Sequence, residues 1–284
     1  MLVKEIMITN PTTVKVPSNT IEAIEIMKKH NLSSLPVVKE GTDRLVGIVT
    51  RSDLARNPEE EQLALVMVRD PVTVSPHDDI KEAAKIMVER GFRRLPVVDG
   101  ESLVGLVSVH DIVTKVIPKT GIKKTAENIM TRKCTLVWSK TPLSVALEIL
   151  RLSGERSLVA VENDGRYMGV VSEKDFVSVL EEESEDTIVN LSTISDGDIW
   201  TWERIDSKDK HYVVKEKFKM PDLVVENITN KEVLKVTKKT PIQECARRMK
   251  KSKIDILPVI DAEGRIEGVV KDTDLVRIFL DYSE

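Results

Sequence analysis

Four segments of the chain place a polar residue and an aspartate three positions apart, directly after a short apolar run. They are Leu45–Leu54, Leu103–Ile112, Tyr167–Phe176 and Ile266–Leu275, and each contains a glycine followed by two branched apolar residues. Branched residues next to glycine are typical of a short strand that is packed on both faces. The polar residue and the aspartate would then stand where the strand ends and a helix begins. A hydroxyl and a carboxylate at that position can bind the polar groups of a small ligand.

The same residue pair also has a plain structural interpretation. Serine, threonine and aspartate accept hydrogen bonds from the unpaired amides at the start of a helix. In any single copy, this helix-cap interpretation is as well supported as a ligand site. Four copies in one chain indicate a shared repeat architecture, and they leave open whether a ligand is bound.

The elements around these segments recur in the order β-α-β-β-α. The first copy predicts strands at Thr13–Val16, Leu35–Val38 and Leu45–Val49. It also predicts a helix whose apolar face includes Ile21–Met27 and whose C-cap is Asn31, and a second helix that begins at Ser52. Matching the copies to one another sets four repeats, at residues 1–58, 59–120, 121–181 and 222–284. The apolar residues at the repeated positions are expected to form the cores.

Residues 182–221 are extra and separate the third repeat from the fourth. The acidic run Glu181–Asp186 is predicted to be a solvated helix end or a linker. The segments Ile199–Ile205 and His211–Phe218 flank the polar stretch Asp206–Lys210, a pattern that predicts a β-hairpin. Two of the three tryptophans stand in this insertion. We therefore expect the hairpin either to pack on its own module or to serve as a lid or partner contact.

Composition limits the classes of function. The chain has 284 residues and a formal net charge of −4, which argues against nucleic-acid binding. No apolar run approaches the roughly 20 residues that span a bilayer, and the N-terminus shows no signal peptide. Cys134 and Cys245 are too few for a disulfide framework or a cysteine zinc site, so a cytoplasmic location is expected. The four histidines lack metal-site spacings, and no nucleotide-hydrolysis motif is present, so we predict no metal, no catalytic residue and no enzyme.

The repeats resemble CBS domains, which are named for cystathionine β-synthase. The resemblance rests on the Ile6-Met7 opening, the Leu-Pro-Val-Val strand at Leu35–Val38 and Leu95–Val98, and the glycine-to-aspartate segment. In that family two repeats pack through their sheets into a pseudo-twofold Bateman module. Four repeats therefore imply two modules of α/β (α+β) fold, an arrangement similar to the γ subunit of AMP-activated protein kinase and its stand-alone archaeal relatives. The resemblance implies a regulatory sensor of adenosine-containing ligands (AMP, ADP or ATP) that requires no cofactor and signals to a protein partner in trans.

In the resembling family, one repeat of a pair lines the base, and its partner supplies the hydroxyl, the carboxylate and often a basic residue. Carried over to this chain, the pattern implies a first cleft formed by Ser18, Ala23, Ser33, Arg93, Arg94, Ser108 and Asp111. It implies a second cleft formed by Ser33, Thr50, Asp53, Asp78, Ala83 and Arg93. The two arginines make the first cleft the best phosphate site, unless one or both form ion pairs. In the second cleft Asp78 suits a ligand with less negative charge, or a cation.

The same pattern implies two clefts between the third and fourth repeats. The third would be formed by Thr141, Ala146, Arg156, Asp255, Lys271 and Asp274. There a lysine replaces the hydroxyl and could neutralise Asp255, which would leave an empty site. The fourth would be formed by Arg156, Ser172, Asp175, Thr240 and Cys245, and it keeps the hydroxyl, the carboxylate and one arginine. We expect ligand occupancy to fall in the order first, fourth, second, third.

Two other functions stay open at this point. Some CBS pairs bind S-adenosylmethionine or methylthioadenosine through the same adenosine grip, and Asp78 could favour the sulfonium cation. Alternatively, the clefts are vestigial and the chain is a structural scaffold whose hairpin docks a partner. Assembly into a homodimer is also left open.

Overall fold

The computed structural model describes residues 1–57, 60–179, 181–187, 213–219, 221–231, 235–252 and 254–282. The chain divides into two compact units. The first comprises Met1–Met130, Val236–Leu257 and Val270–Glu284, and the second comprises Thr131–Lys235 and Pro258–Val269. The first unit therefore contains the first two repeats together with two helices of the fourth.

The first repeat has the predicted order of elements. They are β1 Ile8–Thr9, β2 Val14–Val16, α1 Thr20–Lys29, β3 Ser34–Lys39, β4 Leu45–Thr50 and α2 Arg51–Arg56. Helix α1 begins where the Asn19 side chain accepts a hydrogen bond from the Glu22 amide at 2.8 Å, an N-cap that satisfies one of the free amides. Beyond its end, Asn31 has a left-handed φ of 51°, as expected of the residue that follows a helix C-cap. The cap itself is His30, one residue before the predicted position.

The second repeat differs from the first at its last helix. Its elements are α3 Leu63–Val66, β5 Val68–Arg69, α4 Ile80–Arg90, β6 Arg94–Asp99, β7 Ser102–Ser108 and α5 Val109–Asp111. Helix α5 continues as a π-helical turn over Ile112–Val116 and then as a 3-10 turn over Ile117–Lys119. A π-helical turn is rare in globular proteins, and the matching helix α2 of the first repeat is α-helical over its whole length.

The third repeat has the order α-β-α-β-β-α, and the described residues of the fourth have the order α-α-β-β-α. The third contains α6 Ala126–Ile129, β8 Leu136–Trp138, α7 Leu143–Ser153, β9 Ser157–Val161, β10 Tyr167–Ser172 and α8 Glu173–Ser178. The fourth contains α9 Val225–Ile228, α10 Ile242–Ser252, β13 Ile256–Ile260, β14 Ile266–Lys271 and α11 Asp272–Leu280, after the insertion strands β11 Glu181–Thr187 and β12 Val213–Lys219.

Paired repeats exchange their opening segments. In the first unit, β1 of the first repeat pairs antiparallel with β7 of the second, and β5 of the second pairs antiparallel with β4 of the first. The resulting sheets have the strand orders β1-β7-β6 and β2-β3-β4-β5. In the second unit the third and fourth repeats make the same exchange through single bridges, Asn230 to Val170 and Thr131 to Val269. This reciprocal pairing is the two-fold relation expected of Bateman modules.

The glycine of each repeated segment lies directly beneath the exchanged segment. A Cβ atom at Gly105 would lie 3.0 Å from the Ile8 carbonyl oxygen, and one at Gly169 would lie 2.5 Å from the Asn230 carbonyl oxygen. Both distances are shorter than an ordinary van der Waals contact of about 3.5 Å. Glycine is needed at these positions because only glycine lets another backbone approach so closely.

The acidic segment of the insertion is a strand. Glu181–Thr187 pairs antiparallel with Val213–Lys219, and glutamates stand opposite lysines at three register positions. Opposite charges at facing positions favour an antiparallel ladder, so the prediction of a helix end or linker is wrong. Of the predicted hairpin, the segment His211–Phe218 overlaps β12, whereas Ile199–Ile205 lies outside the described residues.

Apolar residues at the repeated positions form the cores, as predicted. In the first repeat, Ala23, Leu35 and Val49 are fully buried in one cluster, and in the third repeat Ala146 and Val171 occupy the equivalent cluster. Within the described part of the chain, every helix is too short or too polar to cross a membrane.

Candidate functional site

The aspartates of the repeated segments lie at helix N-termini and act as caps. Asp53 Oδ2 accepts hydrogen bonds from the Thr50 amide at 2.9 Å and from Thr50 Oγ1 at 2.6 Å. Asp175 accepts the same two bonds from Ser172, each at 2.7 Å. The helix-cap interpretation is therefore confirmed, and it uses one carboxylate oxygen. The other oxygen of Asp53, Oδ1, has no hydrogen-bond partner among the described residues.

Asp111 is the most deeply buried of these four carboxylates, with 3% of its surface exposed. Its Oδ2 accepts hydrogen bonds from the Ser108 amide at 3.0 Å and from Ser108 Oγ. Its Oδ1 lies 2.7 Å from Lys115 Nζ, and the same ammonium group donates to the Ile6 carbonyl oxygen at 2.6 Å. Both oxygens of Asp111 are thus engaged, and Lys115 balances its charge.

Asp274 caps helix α11 with a different partner set. It accepts a hydrogen bond from the Lys271 amide at 2.9 Å, and its Oδ1 lies 3.6 Å from Arg277 Nη1. Burial raises the pKa of the Asp274 carboxyl, and this effect outweighs the Lys271 amide and the Arg277 charge, which lower it. The ionised carboxylate is therefore harder to maintain in the fourth repeat than its sequence match to the other repeats suggests.

Arg94 joins the two repeats of the first unit at the predicted first cleft. It stands opposite Ser108 in the ladder of β6 and β7. Its Nη1 donates hydrogen bonds across to the first repeat, to Ser33 Oγ at 2.6 Å and to Ser34 Oγ at 2.9 Å. Ser108 also holds Asp111, so four of the predicted residues, Arg94, Ser33, Ser108 and Asp111, lie near one another: Arg94 bonds to Ser33 and faces Ser108 across the ladder. A guanidinium group beside hydroxyls is suited to binding phosphate oxygens.

Arg93, the other predicted phosphate ligand, is paired with a carboxylate of the fourth repeat. Its two Nη atoms contact the two carboxylate oxygens of Asp272, with an Nη1–Oδ1 distance of 3.3 Å. Asp272 is buried, with 5% of its surface exposed, and burial raises the pKa of its carboxyl although Arg93 lowers it. Arg93 is therefore the counter-ion of a buried acid, and a phosphate would have to compete with that acid for it.

The base-side residues of the first two clefts are partly in the core. Ala23 and Ala83 are fully buried, so their side chains belong to the core and a ligand could meet only their backbone. The Ser18 hydroxyl donates to Glu22 Oε2 at 2.6 Å. Asp78 accepts a hydrogen bond from a neighbouring amide within its own turn, at 2.7 Å.

The residues predicted for the third and fourth clefts divide between the two units. The second unit contains Thr141, Ala146, Arg156, Ser172 and Asp175, and the first contains Thr240, Cys245, Asp255, Lys271 and Asp274. Arg156 Nε lies 4.0 Å from Glu173 Oε2. Cys245 is fully buried, and burial raises the pKa of its thiol to about 12. These two clefts stay predictions.

Three residues at the site were outside the sequence prediction, namely Ser34, which accepts a hydrogen bond from Arg94, Lys115 and Asp272. Lys115 follows Asp111 by four positions, the spacing at which charged side chains meet on a helix, and that spacing could have indicated it. Asp272 gave no such signal. Its partner Arg93 is 179 positions away, and an acidic residue at the start of a helix is common for reasons of capping and dipole alone.

With the four repeats, their exchanged strands and their capped aspartates described, the fold class is a set of paired CBS repeats. The chain belongs to the CBS domain family, which matches residues 3–60, 62–117, 126–182 and 225–281. These ranges cover most of the chain, one range to each repeat.

Two archaeal proteins resemble the chain over nearly its whole length. An uncharacterized conserved protein from Pyrococcus horikoshii is 28% identical in sequence, with 98% of this chain and 99% of that chain covered and a TM-score of 0.68. Protein MJ1225 from Methanocaldococcus jannaschii, also uncharacterized, is 22% identical over 285 residues and 93% of each chain. Its crystal structure, described as that of a candidate archaeal homologue of γ-AMPK, gives a TM-score of 0.71 over 98% of this chain and 100% of that one. At that identity MJ1225 is evidence for the fold alone.

Shorter CBS structures with bound ligands match only part of the chain. CBSX2 in complex with AMP and the CBS pair of MJ0100 in complex with 5′-methylthioadenosine and S-adenosyl-L-methionine each cover 39% of it, with TM-scores of 0.38 and 0.37.

Proposed function

We propose that the chain is a non-catalytic regulatory sensor that binds AMP, ADP or ATP in clefts between paired CBS repeats and signals to a protein partner in trans. The observation that carries the proposal is the polar set at the first cleft. There Arg94 of the second repeat donates to Ser33 and Ser34 of the first, beside the Ser108 that holds Asp111.

The chemistry of this set matches a nucleotide. A ribose offers hydroxyl donors to a carboxylate, and charge-assisted hydrogen bonds of this kind are about twice as strong as neutral ones. A phosphate accepts hydrogen bonds from a guanidinium and from serine hydroxyls at the same time. Asp111 and Arg94 belong to one repeat, while the serines belong to the other. A ligand that contacts all of them bridges the pair.

Bridging supplies a mechanism of regulation. A ligand that contacts both repeats favours the arrangement of the pair that fits it best. It can shift the population of that arrangement only by its differential affinity. A partner protein that binds one arrangement of the pair more tightly than another would then respond to the nucleotide concentration.

The second cleft favours a second candidate ligand, S-adenosylmethionine or methylthioadenosine. It combines two acidic residues, Asp53 and Asp78, and its one arginine, Arg93, is already paired with Asp272. A site with this charge balance disfavours a phosphate and favours the sulfonium cation of S-adenosylmethionine.

Calorimetric titration of the whole chain with AMP, ATP, S-adenosylmethionine and methylthioadenosine tests the proposal. Binding of AMP or ATP that weakens in Arg94→Met supports the nucleotide sensor. The matched control is Arg90→Met, which removes an exposed arginine at the end of helix α4. Binding of only the sulfonium compound or methylthioadenosine would support the second candidate. No binding of any of the four would support a scaffold in which the aspartates serve only as caps.

A further inference from the structure

We propose that Lys115 determines the charge of the ligand that the first cleft selects, by neutralising Asp111 and so favouring a phosphate-bearing nucleoside over an uncharged one. This inference rests on the proposed function, because it concerns the selectivity of the same cleft. Nothing in the pattern of the repeated segments assigns a role to Lys115, since the pattern ends at the aspartate.

The contacts of Lys115 place it at the site carboxylate. Its ammonium group lies 2.7 Å from Asp111 Oδ1, and the Asp111 side chain is 5% exposed whereas that of Lys115 is 39% exposed. The lysine therefore balances a buried charge and still reaches solvent. Arg93 is already paired with Asp272, and Arg94 stands next to Ser108. The remaining charged groups that the second repeat contributes to the cleft, Arg94, Lys115 and Asp111, therefore carry one positive charge in excess. Such an excess attracts an anionic ligand.

The first repeat provides the comparison within the same chain. Its matching carboxylate is Asp53, and four residues later stands Asn57, which is uncharged and donates to the Asp53 backbone carbonyl at 2.9 Å. Asp53 is capped by Thr50 as Asp111 is capped by Ser108. The two carboxylates thus share the cap and differ in the lysine. The charge of the Asp111 carboxylate is therefore balanced by a lysine four residues later, whereas that of Asp53 is not.

The backbone at Lys115 is also unusual. Lys115 lies in the π-helical turn Ile112–Val116, where the Ile117 amide bonds to the Ile112 carbonyl oxygen. Helix α2 of the first repeat has no such turn. Single π-helical turns occur mostly inside α-helices and often at functional sites. This turn is a second, independent difference between the repeats, and it falls on the residue that contacts the site carboxylate.

Titrations of AMP and of adenosine into the whole chain test the role of Lys115. Lys115→Gln removes the charge and keeps a donor for the Ile6 carbonyl, and Lys115→Met removes both. We expect both variants to lower the ratio of AMP affinity to adenosine affinity about tenfold, which corresponds to one lost charge-assisted interaction. Lys115→Arg and the matched control Lys119→Met, which removes an exposed charge four residues later, should leave the ratio within about twofold.

The outcomes separate this inference from the proposed function. If the unmodified chain binds neither AMP nor adenosine, this inference is overturned, and the proposed function is overturned with it if ATP does not bind either. If it binds AMP but Lys115→Gln leaves the affinity ratio unchanged, only the role of Lys115 is overturned. An equal loss of both affinities in Lys115→Met, with both affinities retained in Lys115→Gln, would likewise overturn it, because a purely structural contact with Ile6 would act on both ligands alike.

Discussion

At the scale of single residues, the ion pair between Arg93 and Asp272 joins the second repeat to the fourth. Asp272 is buried and its carboxylate contacts both Nη atoms of Arg93. We expect Arg93→Met to lower the free energy of unfolding by about 2–3 kcal/mol, because it leaves a buried charge without its partner. The loss is smaller than the usual range of about 3–5 kcal/mol because Arg93 itself is partly exposed. Urea denaturation measures this loss.

A matched double variant separates charge from packing. Asp272→Asn removes the charge that Arg93 balances, so Arg93→Met should cost much less stability in that background. Equal costs in the two backgrounds would contradict an electrostatic role for the pair.

The same pair predicts a pH dependence. Burial raises the pKa of Asp272 in the folded protein and Arg93 lowers it. An acid with a raised folded pKa contributes stability at low pH that is lost as the pH rises through that pKa. Without Arg93 the pKa rises further, so the cost of Arg93→Met should be largest at neutral pH and shrink as the pH falls toward the ordinary aspartate pKa of about 4. Denaturation at pH 7 and at pH 5 measures this change, and a cost that is equal at both would contradict it.

At the scale of elements, the glycine beneath each exchanged segment defines the pairing of the repeats. At Gly169 a Cβ would lie 2.5 Å from the backbone oxygen of Asn230, whereas at Gly105 the nearest atom, at 2.6 Å, is the sulfur of the flexible Met7 side chain. Alanine at either position should destabilise the protein, by about 1–3 kcal/mol for overpacking of this kind. We expect Gly169→Ala to cost more than Gly105→Ala, because a backbone atom moves less easily than a methionine. Thermal denaturation of the two variants ranks them, and the reverse order would contradict this account.

Elements with a periodic apolar pattern could be predicted from the sequence, and elements without one could not. Helix α1 and strands β3 and β4 follow from their apolar spacing, and the predicted C-cap Asn31 lies one residue beyond the actual cap, His30. Strand β11 was missed because its residues are almost all acidic and carry no strand propensity. Its partner β12 lies across the insertion, and a ladder that depends on a distant partner leaves no local pattern.

At the candidate site, contacts between residues close in the chain were likewise predictable, and contacts between distant residues were not. The capped aspartates were predictable because the hydroxyl and the carboxylate are three residues apart in the chain. The bond from Arg94 to Ser33 and Ser34 was anticipated only as a shared cleft, through the resemblance to CBS domains. The pair of Arg93 with Asp272 was not anticipated, since a contact between residues so far apart in the chain depends on packing rather than on local spacing.

At the scale of the whole molecule, the chain is built from four CBS repeats that pair by exchanging their opening segments, and the predicted clefts lie between the paired repeats. The helix caps explain why each repeat keeps an aspartate even if no ligand binds. The first cleft adds groups that capping does not need, namely Arg94 and the serines it contacts. Under the proposed function, these groups bind the phosphate of the nucleotide.

The most direct test of the sensor is a calorimetric titration of the whole chain with AMP, compared between the unmodified protein and Asp111→Ala. A matched control is Asn128→Ala, which removes a capping acceptor for the Thr125 amide outside the predicted clefts. We expect AMP to bind the unmodified chain. Asp111→Ala should weaken the binding free energy of AMP at one class of sites by about 1.5–3 kcal/mol, which is the contribution of a hydrogen bond to a charged group. Asn128→Ala should leave the affinity unchanged. Equal affinity in Asp111→Ala, or no binding of AMP to the unmodified chain, would contradict this expectation.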